Sequence, residues 1–293
     1  MGLVIPDAAR EAHRRAGELI QERRFVEAIA PAEAAVRLCP EWAAPWWNLT
    51  VGYKHARDWE KTLAACERAI ALDPDDAAGP HWNAGIAATA LGLWPRARAA
   101  WAAAGIALPP GEGAIEMNIG PTPVRVSPES AAEVVWCFRI DPCRARVESV
   151  PLPDSDRRYG DLLLHDGEAR GRRHLRGRSI PVFDELAVLE LSSFKTFEVV
   201  VCSPSEAELT ETMERLRAED LGVEDWTSNV RLLCAKCSLG DEDHTHDADA
   251  AATGPWRQER RLGVAARDEA HMRPLRRGLF GWRREVLSVR RVL

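Results

Sequence analysis

Residues 43–74 read AAPWWNLTVGYKHARDWEKTLAACERAIALDP, and their spacing decides how the first third of the chain folds. Trp46, Leu49, Tyr53, Trp59, Cys66, Ala69 and Pro74 fall at the offsets of a helix-turn-helix unit that recurs every ~34 residues. Such a hairpin carries an apolar stripe on each helix and buries only part of it, so neighbouring copies must stack to complete a core. Self-similarity is present on both sides. Upstream, Ala12, Leu19, Ala28, Ala35 and Pro40 lie 34 residues before Trp46, Tyr53, Thr62, Ala69 and Pro74. Downstream, Trp82-Asn83 repeats Trp47-Asn48 at a spacing of 35, and Trp94, Ala97, Trp101, Ala104 and Pro109 match Trp59, Thr62, Cys66, Ala69 and Pro74 at that same spacing.

The unit resembles a tetratricopeptide repeat. Trp46, Leu49, Tyr53, Ala69 and Pro74 agree with that family's pattern, while Thr50 stands where glycine is usual and Thr62 where alanine is usual. Three copies, roughly 7–40, 41–76 and 77–110, make an all-α repeat domain over residues 1–110. The resemblance implies that the first helix of each hairpin lines a concave groove that holds a peptide or another protein. Its groove-facing positions are then His13, Gly17 and Ile20 in the first copy, Trp47, Val51 and Lys54 in the second, and Trp82, Ile86 and Thr89 in the third. Trp47 and Trp82 would form an aromatic floor of the kind that anchors interfaces; alternatively they pack against the later part of this same chain. Asn48 and Asn83 match the family pattern and read as structural. The lysine and asparagine pattern with which family members clamp a terminal carboxylate is lacking.

Composition bounds the rest. With 293 residues there is room for two or three domains, and 46% hydrophobic with 29% charged residues reads as globular. No apolar run approaches the ~18–20 residues of a membrane span, and MGLVIPDAAR lacks the basic-then-apolar order of a secretory leader. The expectation is a cytoplasmic protein with reduced thiols, because the seven cysteines are odd in number and include a CxxC pair. Only four of the 39 basic residues are lysine, which with abundant alanine suggests the coding bias of a GC-rich bacterial genome. A net charge of −6 argues against a dedicated nucleic-acid binder.

After Pro109-Pro110-Gly111-Glu112-Gly113 the signals change to strands and turns. Over residues 111–195 the expected strands are Ile115–Ile119, Val124–Val126, Glu133–Ile140, Arg146–Val150 and Leu162–Leu164, with turns at Asp166-Gly167, Gly171 and Gly177. Ser179–Phe183 reads as a last strand before a short helix over Glu185–Glu190, capped by Asp184. A small β barrel or curled sheet is expected. Arg170, Arg172, Arg173, His174, Arg176 and Arg178 read as a solvated or acid-pairing edge, with a nucleic-acid site as the alternative.

Residues 196–293 read as an α+β unit. Strands are expected at Thr196–Cys202, Asn229–Ala235, Arg261–Ala266 and Glu285–Leu293, with helices from Ser203 or Ser205 to about Glu219 and over Asp268–Arg277. The order β-α-β-β-α-β is the ferredoxin-like one. Its long connection carries Cys234-Ala-Lys-Cys237 and His244-Thr-His246. Two thiolates on one turn and two imidazoles on one extended segment satisfy tetrahedral zinc, closed and structural when all four ligands come from protein. A reduced thiol pair with solvated histidines is the competing reading, and a catalytic or redox role a third; a redox CxxC would sit at a helix N-terminus rather than a strand end.

No nucleophile–base pair, paired-carboxylate site or phosphate loop stands out. The expected function is a non-enzymatic protein–protein interaction module that resembles bacterial adaptor or immunity proteins, with a basic toxin as a partner that suits the acidic balance. A regulatory nucleic-acid binder using the arginine cluster and a zinc-ordered loop is the alternative, and a metal-dependent enzyme at Cys234, Cys237, His244 and His246 is a further one. The zinc expectation has a direct check: mass spectrometry of untagged protein should find about one zinc per chain. A Cys234→Ser, Cys237→Ser double variant should lose the metal together with thermal stability; metal-free protein with an unchanged melt would refute the site.

Overall fold

The computed structural model of the protein describes residues 3–175, 177–227, 256–276 and 286–293. By its internal contacts the chain divides into two units, Met1–Met117 with Asp141–Cys143, and Asn118–Ile140 with Arg144–Leu293.

The first unit is helical. Its helices are α1 (Asp7–Gln21), α2 (Ile29–Leu38), α3 (Ala43–His55), α4 (Trp59–Leu72), α5 (Ala78–Ala90) and α6 (Trp94–Ala103). They pack as consecutive pairs, α1 with α2, α3 with α4 and α5 with α6, and the first helices of successive pairs also touch. What repeats is the backbone as well as the sequence. The first helix of each pair ends at a residue with positive φ: Arg23 (61°), Arg57 (60°) and Gly92 (67°). Around each, the same two hydrogen bonds recur. Arg23, Arg57 and Gly92 donate to the carbonyls of Ile20, Lys54 and Thr89, and the next residues, Arg24, Asp58 and Leu93, donate to Leu19, Tyr53 and Ala88. This left-handed closure satisfies carbonyls that the helix end would otherwise leave bare.

Small residues let the helices approach. Ala16, Ala28, Ala32 and Ala65 join Leu19, Leu49 and Tyr53 in one buried cluster. Trp101 is fully buried and lies on Gly85, where an added Cβ would stand 2.6 Å from the indole. Polar ties run between the first helices: the Asn48 amide bonds the His13 ring at 3.0 Å, and the Asn83 amide donates to the Thr50 hydroxyl at 3.0 Å.

The second unit holds two sheets. In the first, β1 (Gly120–Val126), β2 (Glu133–Arg139), β3 (Arg144–Val147), β4 (Leu162–Leu175) and β5 (Arg178–Glu190) pair antiparallel in sequence order. β1 then pairs parallel with β5, Val124 opposite Phe183, so the mixed five-stranded sheet closes on itself. Val124, Val126, Val135, Cys137, Ala145, Val147 and Leu163 fill its core. In the second sheet, β6 (Lys195–Cys202), β7 (Gly222–Asp225), β8 (Glu259–Ala266) and β9 (Val286–Arg291) are antiparallel in the spatial order β7-β8-β6-β9. α7 (Glu206–Ala218) follows β6 and α8 (Arg273–Arg276) precedes β9. Ser205 caps α7 by accepting the Glu208 N–H at 3.3 Å, and Leu209 and Leu216 pack on Phe197, Val199, Leu262 and Val264. The two sheets meet where the Trp226 indole donates to the Val150 carbonyl at 3.0 Å and Val150 N–H donates to Glu224 at 2.9 Å.

Several expectations change here. The run Glu185–Glu190 is strand and not helix, because it pairs antiparallel with Leu162–His165 of β4 and the Asp184 carboxylate binds Arg125 at 2.7 Å instead of capping. Six residues cannot nucleate a helix against that pairing. Asp166-Gly167 and Gly171 make no turn; β4 runs through them with register shifts, and the chain reverses at Gly177 (φ 75°). Ile115–Ile119 is irregular, and pairing begins at Gly120. Asn229–Ala235 lies outside the described residues; the strand that follows α7 is β7, reached through Asp220 at φ 62°. The helix expected over Asp268–Arg277 contains only α8 among the described residues.

One buried histidine belongs to this architecture. His165 is completely buried and stacked on Phe183 at 5.0 Å, with Nδ1 2.7 Å from the Asp166 carbonyl and no hydrogen-bond partner at Nε2. Burial, helped by the Arg139 charge, pulls its pKa down to about 3. The unfolded chain takes up this proton near pH 6.5 and the folded chain does not, so stability falls as pH drops from about 6.5 towards 3.

Two outcomes follow for stability. Denaturant titrations between pH 6 and 4 should show the native protein losing up to about 1.4 kcal/mol per pH unit to this site; a His165→Asn variant should lose that slope, and identical slopes would contradict the assignment. In thermal melts, Gly85→Ala should cost about 1–3 kcal/mol by overpacking Trp101, whereas Arg57→Gly should raise stability by up to about 1 kcal/mol by relieving the left-handed residue.

Candidate functional site

Three places hold residues of functional interest: the helix faces, the closed sheet and the Cys/His segment. The last is quickly dealt with. Cys234, Cys237, His244 and His246 lie outside the described residues. Among the described residues, no group of three or more His, Cys, Asp or Glu side chains could hold a metal ion.

The proposed groove positions have unequal environments. Val51, Lys54, Ile86 and Thr89 are buried. Thr89 accepts from the Trp101 indole N–H at 3.3 Å, so its hydroxyl serves its own helix pair. Trp82 stands edge-on to Trp101 with ring centres 5.0 Å apart. His13 is half-buried, contacts the Trp42 ring at 4.6 Å and bonds Asn48; burial keeps its imidazole below the usual pKa. Gly17 and Ile20 are also half-buried. Trp47 differs from all of these, with 38% of its surface exposed. Trp47 and Trp82 therefore take separate partners.

Trp47 looks into a cleft. The start of α3, the end of α4 and the start of α5 enclose a cavity of about 340 Å³, lined by Ala43, Ala44 and Trp47, by Ala69 and Asp73, and by Asp76, Gly79 and Pro80. Local chemistry explains the shape. The segment between α4 and α5 cannot continue the helix through Pro74, and Asp73 closes its turn by accepting the Asp76 N–H at 3.3 Å. Gly79 lies directly under the indole, where an added Cβ would stand 2.7 Å from Cη2 of Trp47. Alanine at three of the helical lining positions, 43, 44 and 69, keeps the floor low. Asp73 and Asp76 are exposed and form no ion pair with a described residue, unlike Glu41 with Arg68 at 2.8 Å or Asp58 with Lys61 at 2.8 Å elsewhere on these helices.

The closed sheet carries an uncommon density of buried charge. Arg125 grips Asp184 with two bonds, 2.7 and 2.9 Å, and Arg170 approaches the same carboxylate at 3.5 Å. Arg157 grips Glu185 at 2.8 and 2.6 Å, and Glu185 also accepts the Ser127 N–H at 3.3 Å. Each carboxylate is thus committed to a guanidinium, which suits holding β1 and β5 together and leaves no base poised on a substrate. His13, His165 and His271 bond to an amide, to backbone carbonyls or to a backbone N–H, and none of these bonds reaches a hydroxyl or thiol. Burial raises the Cys66 and Cys137 thiols well above their ordinary pKa, so both stay protonated and unreactive at neutral pH.

In the arginine cluster, Arg170 bonds Glu168 at 2.8 Å and Arg172 bonds the Ser179 hydroxyl at 2.6 Å. These two guanidiniums serve the β4–β5 hairpin itself. The cleft was legible only in part from sequence. Trp47 stood out as an aromatic at a repeat position, but Asp73 and Asp76 lie in an inter-helix turn that the repeat pattern treats as punctuation. Comparison with known proteins finds no matching family model and no matching curated protein, so the assignment of function rests on the residues themselves.

Proposed function

We propose that this chain is a non-enzymatic binding protein whose helical pairs, read as tetratricopeptide repeats, receive a segment of another polypeptide. The carrying observation is the open cleft at Trp47: its indole is exposed, whereas Trp42, Trp46, Trp59, Trp82 and Trp94 of the same unit are half-buried and Trp101 is fully buried. Tryptophan in such a setting supplies much area at little entropic cost and is favoured among interface anchors. The second sheet, read as a ferredoxin-like unit, and the closed five-stranded sheet then act as scaffold; in the latter the buried carboxylates of Asp184 and Glu185 are committed to arginines. An immunity protein that neutralises a basic toxin is the form of this reading that suits the net charge of −6. The arginine cluster offers nucleic acid less than its composition suggests, because Arg170 and Arg172 are engaged within the hairpin.

The test is a two-hybrid or display screen of the full chain against polypeptides encoded beside it in the genome, repeated with Trp47→Ala. A specific partner should bind, and the variant should weaken it by about 2 kcal/mol or more, roughly thirtyfold, with a thermal melt within a few degrees of the parent. Partners that bind the variant equally well, or no polypeptide partner at all, would defeat the reading.

A further inference from the structure

We propose that the Trp47 cleft receives an arginine side chain of the partner polypeptide, its guanidinium stacked on the indole and bonded to Asp73 and Asp76. This rests on the reading of the chain as a polypeptide-binding protein and adds the chemistry of what enters the site.

The volume comes first. About 340 Å³ lies at the low end of the ~300–1,000 Å³ typical of small-ligand pockets. That is room for a single long side chain. The lining comes second. Ala43, Ala44, Ala69 and Gly79 are small and apolar, which suits the methylene stem of a long residue, and the Trp47 face offers a π surface. The charge comes third. Asp73 and Asp76 border the cleft, are exposed, and have no ion-pair partner among the described residues, although arginines and lysines on the same helices pair with other carboxylates. One oxygen of Asp73 closes the local turn by accepting the Asp76 N–H. That local duty explains why an aspartate stands at 73; it does not use the Asp76 carboxylate or the second oxygen of Asp73.

An indole face beside two unpaired carboxylates selects a cation, and it selects arginine over lysine. A guanidinium stacks flat on an aromatic ring while its edge presents several N–H donors to carboxylates, and it sheds water more readily than an ammonium. An anionic or purely apolar group would leave both carboxylates facing it uncompensated. Of the groove positions His13, Trp47, Val51, Lys54, Trp82, Ile86 and Thr89, Trp47 alone lines this site.

The experiment uses the full chain, selectively labelled at tryptophan indole nitrogens, with the Trp47 signal assigned from Trp47→Phe. Acetyl-Gly-Arg-Gly-amide is titrated in, and the same peptide with citrulline, a neutral isostere of arginine, serves as the paired probe. The Trp47 signal should shift with saturation on the order of millimolar for the arginine peptide, as befits one side chain without its flanking contacts. It should shift at least tenfold less readily for the citrulline peptide and for arginine added to an Asp73→Asn, Asp76→Asn variant whose melt matches the parent. Rising salt should weaken the effect. Equal response to citrulline, or full response in the double Asn variant, would overturn the proposal. The two levels separate cleanly. A polypeptide partner lost on Trp47→Ala but held equally by the double Asn variant, with no arginine shift, sinks the arginine assignment and keeps the binding reading. Saturable, Asp-dependent arginine binding in a chain for which no polypeptide partner is found supports the cleft chemistry and sinks the other.

Discussion

A helix that stops in the left-handed region at the same place in every pair is the constraint on which the helical unit depends. At Arg23, Arg57 and Gly92 the backbone takes nearly the same left-handed φ and makes the same two hydrogen bonds before the second helix of each pair begins. Because the closure recurs at 34 and 35 residues, successive pairs can present like surfaces to one another. The alanines and glycines at the crossings then allow close approach, and the amides of Asn48 and Asn83 tie neighbouring first helices where their polar groups would otherwise be buried without partners. Two of the three closures use arginine, which carries a cost that glycine avoids.

The second unit solves a different problem. Its closed sheet is small, and the residues that fill it are chiefly valine, alanine, cysteine and leucine. The parallel junction of β1 with β5 is held by the bidentate Arg125–Asp184 pair in addition to backbone bonds. A buried ion pair of this kind adds little net stability over an apolar substitute, but breaking it leaves an uncompensated charge, so it specifies which strands meet. Trp226 and Glu224 perform the matching task between the two sheets by occupying both backbone groups of Val150. Among the described residues, the cleft at Trp47 brings an exposed indole beside carboxylates, Asp73 and Asp76, that have no ion-pair partner.

Most of the element order could be read from the residues. The helical pairs, the strands β2, β6 and β8, and α7 with its Ser205 cap follow from periodicity and end signals that act over one or two turns. The errors have a common cause. Glu185–Glu190 and the Asp166-Gly167 pair carry local signals for helix and turn that the long antiparallel β4–β5 pairing containing both overrides. Strand β7, Gly222–Asp225, is four residues long with one large apolar side chain, Val223, so its local signal is weak.

Three helical pairs and the apolar stripes that oblige them to stack have local or strictly periodic energetics, and these are legible in the residues alone. Which surface stays open depends on long-range packing. Trp47 and Trp82 occupy the same place in the repeat, yet Trp47 is exposed while Trp82, edge-on to Trp101, is half-buried. Burial depends on what other segments cover, and the meeting of Asp73, Asp76 and Trp47 around one cavity depends on where α3, α4 and α5 converge. Neither is encoded in a spacing, because the groups that meet belong to different periods of the repeat and to the turn between them.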